Sequence, residues 1–444
     1  MRLTPRTAIA ALAVGTVLSV IGMPGVALAD DAVHGEKRVL VAVVGFNDAT
    51  FPDENLVMKN VEQSYFGADN SLAGYYKKMS QGQFTFVPAA ESKAVGPYHL
   101  DLSQNPCNAD AVHQQTVKAL EADGYVKDED YDSLSIIEPA EGGECAWAGL
   151  GSVPGPNTWM NLGGDEASEA LLVHEFGHNM GYGHHARDYC PEGDLSRCAE
   201  DGTSHKTPMG SGGSIVGLVA PELIHSGWLG GGQARTVDTS GTYDLVSLHG
   251  EQSGTRALDI PMGDDRLVIE YRHEVNFSTK EGKLDSTLEG VHAYRVEDGN
   301  YATSIFLDPT AEAGEGADDA ISTLTDKEHG IEVKVVTSGG GSATVAVSLN
   351  GKPAPADAAP ATADPAAEGP SPQGEQADGA PISEAGTDAS SGETPGPRST
   401  PDLAATGGSP VTPYLTAGGI GFLVLGSAAV LGFRRRTRGR RHAA

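Results

Sequence analysis

Cysteine is scarce in this chain: four residues in 444, at Cys107, Cys145, Cys190 and Cys198. None has the paired spacing of a zinc knuckle, so an even number of cysteines is expected to form two disulfides in an exported protein. Three pairings are possible; short loop closure favours Cys190–Cys198, which leaves Cys107–Cys145. Positive charge is scarce as well, 30 basic residues against 60 acidic ones. Eight arginines lie at the two ends, Arg2 and Arg6 among the first 29 residues and six among the last 38, with no acid in either stretch. The part between holds 22 basic and 60 acidic residues, a charge of −38. Such a surface is repelled by nucleic acid and excludes DNA or RNA as a partner. The acidity serves solubility and leaves room for calcium. Large apolar residues are nearly missing from 351–402, a stretch of Ala, Pro, Gly, Asp, Glu, Ser and Thr. It cannot bury a core and reads as a disordered acidic stalk.

Long apolar runs are confined to the ends. Residues 1–29 carry arginines, then an apolar run, then Ala-Leu-Ala before Asp30, the pattern of a secretory signal peptide cut after Ala29. At the other end, "LAATGG" precedes an apolar run over 413–433 and "RRRTRGRR". That run is long enough for one membrane span, with the arginines on the cytoplasmic side. The order of motif, span and basic tail resembles the cell-wall sorting signals of Gram-positive bacteria. The resemblance implies that a sortase cuts between Thr406 and Gly407 and joins the chain to peptidoglycan. Ala404 stands where the familiar form has proline; the Leu-Ala-x-Thr-Gly variant is typical of high-GC Gram-positives. The chain is therefore expected to be secreted, processed by signal peptidase and sortase, and held at the cell surface.

Between the ends the pattern changes once. "RVLVAVVGF" (38–46), "GQFTFVP" (82–88) and "DSLSIIEP" (132–139) read as strands. Helices are predicted around Leu56–Phe66, over 70–80, and from an Asn108 cap to about Asp123. From about 231, strand alternation punctuated by Gly-Asp and Gly-Gly turns predicts an all-β, sandwich-like module to residue 350. The fold class is α+β: a catalytic domain over 30–230, a twisted sheet with an active-site helix, followed by that module over 231–350. The stalk (351–402) and the sorting segment (403–444) complete the chain.

The densest chemistry is "HEFGHNMGYGHH" at 174–185. On a helix capped by Ser168, His174 and His178 are four residues apart and leave the same face, so both can reach one cation. Glu175 lies beside them, placed to take a proton from a bound water. A helix continued past Gly181 would carry His184 away. Gly181 in a left-handed conformation ends the helix and returns His184 as a third ligand. His185 competes for that position, and the HExxHxxGxxH spacing selects His184. Three neutral nitrogens leave zinc a fourth position for water, the arrangement of a catalytic site.

The pattern resembles the metzincin metallopeptidases, and within them the gametolysin-type peptidases and their bacterial relatives. "KTPMGSGG" (206–213) offers Met209 for the methionine turn of such enzymes, with support from "YYKKMSQGQFTF" (75–86) and "APELIHSGWL" (220–229). His185 departs from the relatives, which usually carry a small residue there. Ser211 stands where astacins and serralysins have a zinc-binding tyrosine. Only about eight residues separate Ala29 from the first strand, so a folded propeptide is not expected. The resemblance implies a zinc endopeptidase acting on extracellular protein or peptide, with His174, His178 and His184 on zinc and Glu175 as base. The substrate is expected to lie extended along an edge strand near 155–161, and the chain is expected to be monomeric. The alternatives are a surface adhesin or binding protein that retains the zinc site, and a zinc hydrolase of cell-wall peptide.

Overall fold

The computed structural model describes residues 33–140, 145, 147–213, 216–273, 288–310, 319–354 and, for the backbone only, 402–407. The expected signal peptide, most of the stalk, the apolar run 413–433 and the basic tail lie outside the described residues. Among the described residues no helix is long and apolar enough to cross a membrane.

The first sheet is built on β1 (Gly35–Gly45), whose residues Val39 to Val44 are all fully buried. A continuous apolar run suits a strand covered on both faces. Along the chain follow α1 (Glu54–Phe66), α2 (Leu72–Met79), β2 (Phe84–Pro88), β3 (Ala94–His99), α3 (Ala109–Ala122), β4 (Ser133–Pro139), β5 (Trp147–Val153) and β6 (Asn157–Leu162). β1 pairs in parallel with β2 and β3 along one edge and with β4 along the other. β6 continues the sheet in parallel with β4, and β5 then runs antiparallel to β6.

Side chains alternate across β1 and separate two cores. Val39, Val41 and Val43 meet Val57, Val61, Tyr65, Tyr76 and Phe176 on one face. Leu40, Ala42 and Val44 meet Val112, Leu120 and Trp159 on the other. Each large apolar side chain so buried stabilises the fold by about 1.5–3 kcal/mol. The helices begin where polar caps allow: Asp53, Ser71 and Asn108 accept from Leu56, Gly74 and Ala111 backbone N–H groups. In α1 the inward residue of the last turn is Tyr65, whose hydroxyl pairs with that of Ser135 at 2.5 Å.

The site helix α4 (Glu169–Asn179) lies on the first core, followed by β7 (Ala186–Tyr189), β8 (Ala199–Thr203) and α5 (Ala220–His225). The remaining elements are β9 (Ala234–Thr236), β10 (Gly241–Val246), β11 (Ala257–Met262), β12 (Asp265–Arg272), β13 (Gly290–Val296), β14 (Ile305–Asp308), β15 (Thr323–Asp326), β16 (Ile331–Gly339), β17 (Ser342–Ser348) and β18 (Asp402–Gly407). Seven strands form a second sheet in the order β8-β7-β14-β13-β12-β11-β9, and β10-β17-β16-β15 form a third. Leu267 and Ile269 of β12 pack with Val333, Val345 and Val347 of the third sheet. Val268, between them, faces the core that holds Phe176 and Trp228. The second sheet thus includes strands from both sides of residue 230. Both expected disulfides are formed, Cys107–Cys145 with Cα atoms 5.4 Å apart and Cys190–Cys198 with 4.1 Å.

Candidate metal centre

Ser168 starts α4 by accepting from the Leu171 N–H at 3.2 Å. Leu172, Val173 and Phe176 are fully buried beneath the helix, and Tyr76 of α2 donates to the Val173 carbonyl at 2.7 Å. With that face fixed, His174 and His178 project together from the other. The helix ends at Asn179, and Gly181, at φ +95°, takes the left-handed conformation that turns the chain back. Its N–H donates to the His178 carbonyl at 2.9 Å.

The three Nε2 atoms converge. His174 Nε2 lies 3.1 Å from His178 Nε2 and 3.2 Å from His184 Nε2. His174 Nδ1 donates to the Pro208 carbonyl and His178 Nδ1 to the Tyr182 carbonyl, each at 2.8 Å. A carbonyl oxygen can only accept, so both rings carry their proton on Nδ1 and present a bare lone pair at Nε2. Burial pushes His174 down to about 4 and His178 down to about 3, so both are neutral at pH 7, and partial desolvation shifts His184 in the same direction. Converging lone pairs repel unless a cation lies between them. Tetrahedral zinc at about 2.0–2.1 Å from nitrogen would separate its ligands by about 3.3 Å, so the donor set fits such an ion. Among the described residues this is the one group of three or more histidines, cysteines or acids close enough to hold a metal; calcium gains no support.

Glu175 is fully buried, and its side chain lies against β5. A Cβ on Gly149 would come within 2.7 Å of Glu175 Cγ and Oε1, and one on Gly151 within 2.8 Å of His178 Cβ. These two glycines let the strand and the helix approach. They were not singled out from sequence, although glycines two apart in "AGLGS" mark one strand face that meets something closely. The strand beside the site is β5, not residues 155–161: Asn157–Leu162 is β6, an interior strand between β4 and β5. Local alternation does not reveal strand order, which explains the error.

Met209 is fully buried beneath α4, where a Cβ on Gly177 would fall 2.3 Å from its sulfur. Its turn is tied down twice: Thr207 Oγ1 accepts the Met209 N–H at 3.1 Å and donates to Glu222 Oε1 at 2.5 Å. Glu222 Oε2 in turn accepts the Val219 N–H ahead of α5 at 2.6 Å. Glu270 accepts from Ala220, Arg272 and Tyr294 in the same interior. This buried carboxylate network has no sequence motif, because its members are far apart in the chain.

His184 is exposed, whereas His185 points inward and is 1 % exposed. The His185 N–H donates to the Met209 carbonyl at 3.1 Å, and its Nδ1 shares a 2.7 Å hydrogen bond with the Ser304 hydroxyl. Nε2 stands 3.4 Å from Glu222 Oε1 without hydrogen-bond alignment. The loop bearing His184 is further held by Gly183 N–H on the Ala302 carbonyl at 2.9 Å.

Residues 38–242 match the family model described as gametolysin peptidase M11, somewhat under half of the 444 residues. No curated protein matches the chain. Among solved structures, OgpA from Akkermansia muciniphila is 12% identical, with 62% of this chain and 88% of that one covered at a TM-score of 0.29. Archaemetzincin from Methanopyrus kandleri is 16% identical over 43% of this chain and 86% of that one, at a TM-score of 0.19. Likenesses this weak carry no argument about fold or substrate. The family match and the converging histidines together support a metallopeptidase.

Proposed function

We propose that the chain is a metzincin-type zinc endopeptidase, exported and held at the bacterial cell wall, that cleaves extracellular protein or peptide. The observation that carries the reading is the convergence of the Nε2 atoms of His174, His178 and His184, two of them freed for a cation by carbonyl partners on Nδ1. Zinc, when bound there, supplies a Lewis acid that acidifies water and polarises the scissile carbonyl. The Glu175 carboxylate accepts the proton of the attacking water and delivers it to the departing amine nitrogen, so that one C–N bond is broken and one C–O bond formed. The Pro208 and Tyr182 carbonyls hold the two helical rings in orientation, and Met209 supports the helix from below. The sandwich-like character of 231–350, surface anchoring through Thr406 and Gly407, and the partner enzymes signal peptidase and sortase are part of the same proposal. They rest on the sequence.

Removal of the metal tests this reading. Exhaustive chelation of the full chain should abolish cleavage of casein, and stoichiometric zinc should restore it. His184→Ala should weaken zinc affinity by more than about 100-fold, since loss of a mere outer partner of a ligand costs roughly 10–100-fold. Cleavage that survives complete metal removal contradicts the proposal.

A further inference from the structure

β18 pairs antiparallel with β5, with Leu403 opposite Ser152, Ala404 opposite Gly151, Ala405 opposite Leu150 and Thr406 opposite Gly149. Without it, β5 is an edge of the first sheet, having β6 on its other side. An edge strand presents unpaired N–H and C=O groups that accept an extended peptide by main-chain hydrogen bonds. This part of the edge is the one against the reacting groups, because Gly149 backs Glu175 and Gly151 backs His178. The backbone of β18 also passes beside α4. In the sequence, residues 402–407 lie between Pro401 and Pro410 and contain no proline, so every N–H in the segment is available to a ladder.

We propose that residues 402–407 are an internal occupant of the peptide-binding edge beside the candidate metal centre, a strand that excludes substrate by taking its place on β5. The segment is tied to the folded chain through residues 355–401, and a tethered strand competes at an effective concentration on the order of millimolar. Weak main-chain pairing then suffices to hold off a dilute substrate. Any event that draws the carboxyl end away, such as its transfer to another anchor, opens the edge. The effect on activity rests on the peptidase reading above; the strand pairing does not.

The test compares the full chain with Ala404→Pro/Ala405→Pro, both loaded with zinc. Of two adjacent prolines one falls at an N–H that faces β5, so a ladder donor in the middle of the segment is lost whichever residue holds it. Amide hydrogen exchange should be at least about ten-fold faster within residues 147–153 of the variant and unchanged in β1, which reports on the fold. Against a fluorogenic peptide, the variant should show an apparent KM lower by about ten-fold with kcat unchanged, the signature of a relieved competitor. Equal exchange over 147–153 in both chains overturns the proposal, as does cutting of the purified chain within 402–407, detected by intact mass. Faster exchange with no peptide cleavage in either chain supports the occupant and counts against the peptidase reading alone.

Discussion

His185 is the one histidine of the 174–185 stretch that lies outside the converging group, and its surroundings give it a different task. It joins the methionine turn, through Met209, to the segment around Ser304. Burial pushes His185 down to about 3, so the ring stays neutral in the folded chain, while in the unfolded chain it titrates near 6.5. Between those values the unfolded state binds one more proton, and stability is lost as pH falls through 6.5. Glu222, pushed up to about 8 by burial, has the opposite sign, losing stability as pH rises from 4.5. The His185→Gln variant retains Glu222 and isolates the histidine. Chemical denaturation of both chains in the same metal state should show the wild type losing about 2 kcal/mol relative to the variant from pH 6.5 to pH 5, at about 1.4 kcal/mol per unit. A difference independent of pH would mean that the folded protein holds the ring protonated.

At the scale of elements, the site is the meeting of α4 with β5, and it depends on what β5 lacks. Gly149→Ala would place a methyl 2.7 Å from the Glu175 carboxylate and 2.8 Å from Leu171 Cδ1. The flexible Glu175 side chain is the part able to move, so the variant should retain zinc while kcat falls by about 100-fold, the cost of a displacement of about 1 Å. Steady-state kinetics with metal analysis checks this, and an unchanged kcat would show that Glu175 is not held by the strand. The helix itself was legible: a serine cap, two histidines four apart and a glycine at the turn are local signals, and each is read from neighbours in sequence. So were β1, α2, α3 and β4, and the two disulfides. The strand order was not legible, since "NTWMNL" alternates in the same way whether it lies inside a sheet or at its edge. The pairing of β18 was equally hidden, because its partner is more than 240 residues away.

For the whole molecule, the later strands do more than extend the chain. β14 pairs with β7, which directly follows the His184 loop, and Ala302 and Ser304 hold that loop in place. The third ring nitrogen is therefore positioned by residues more than 110 positions downstream. Composition could announce a β-rich second half, but not that its sheet begins with strands placed before residue 230, since short segments such as "ARDY" carry too little pattern to be assigned. In the proposed function three histidines, one zinc and Glu175 act as a single centre that breaks peptide bonds. Its most direct test is Glu175→Gln, with zinc content and casein cleavage measured on the same preparation. One zinc per chain is expected in wild type and variant alike, with a loss of roughly 10²–10⁴-fold in kcat for the variant. A variant that holds its zinc and cleaves at the wild-type rate would contradict it.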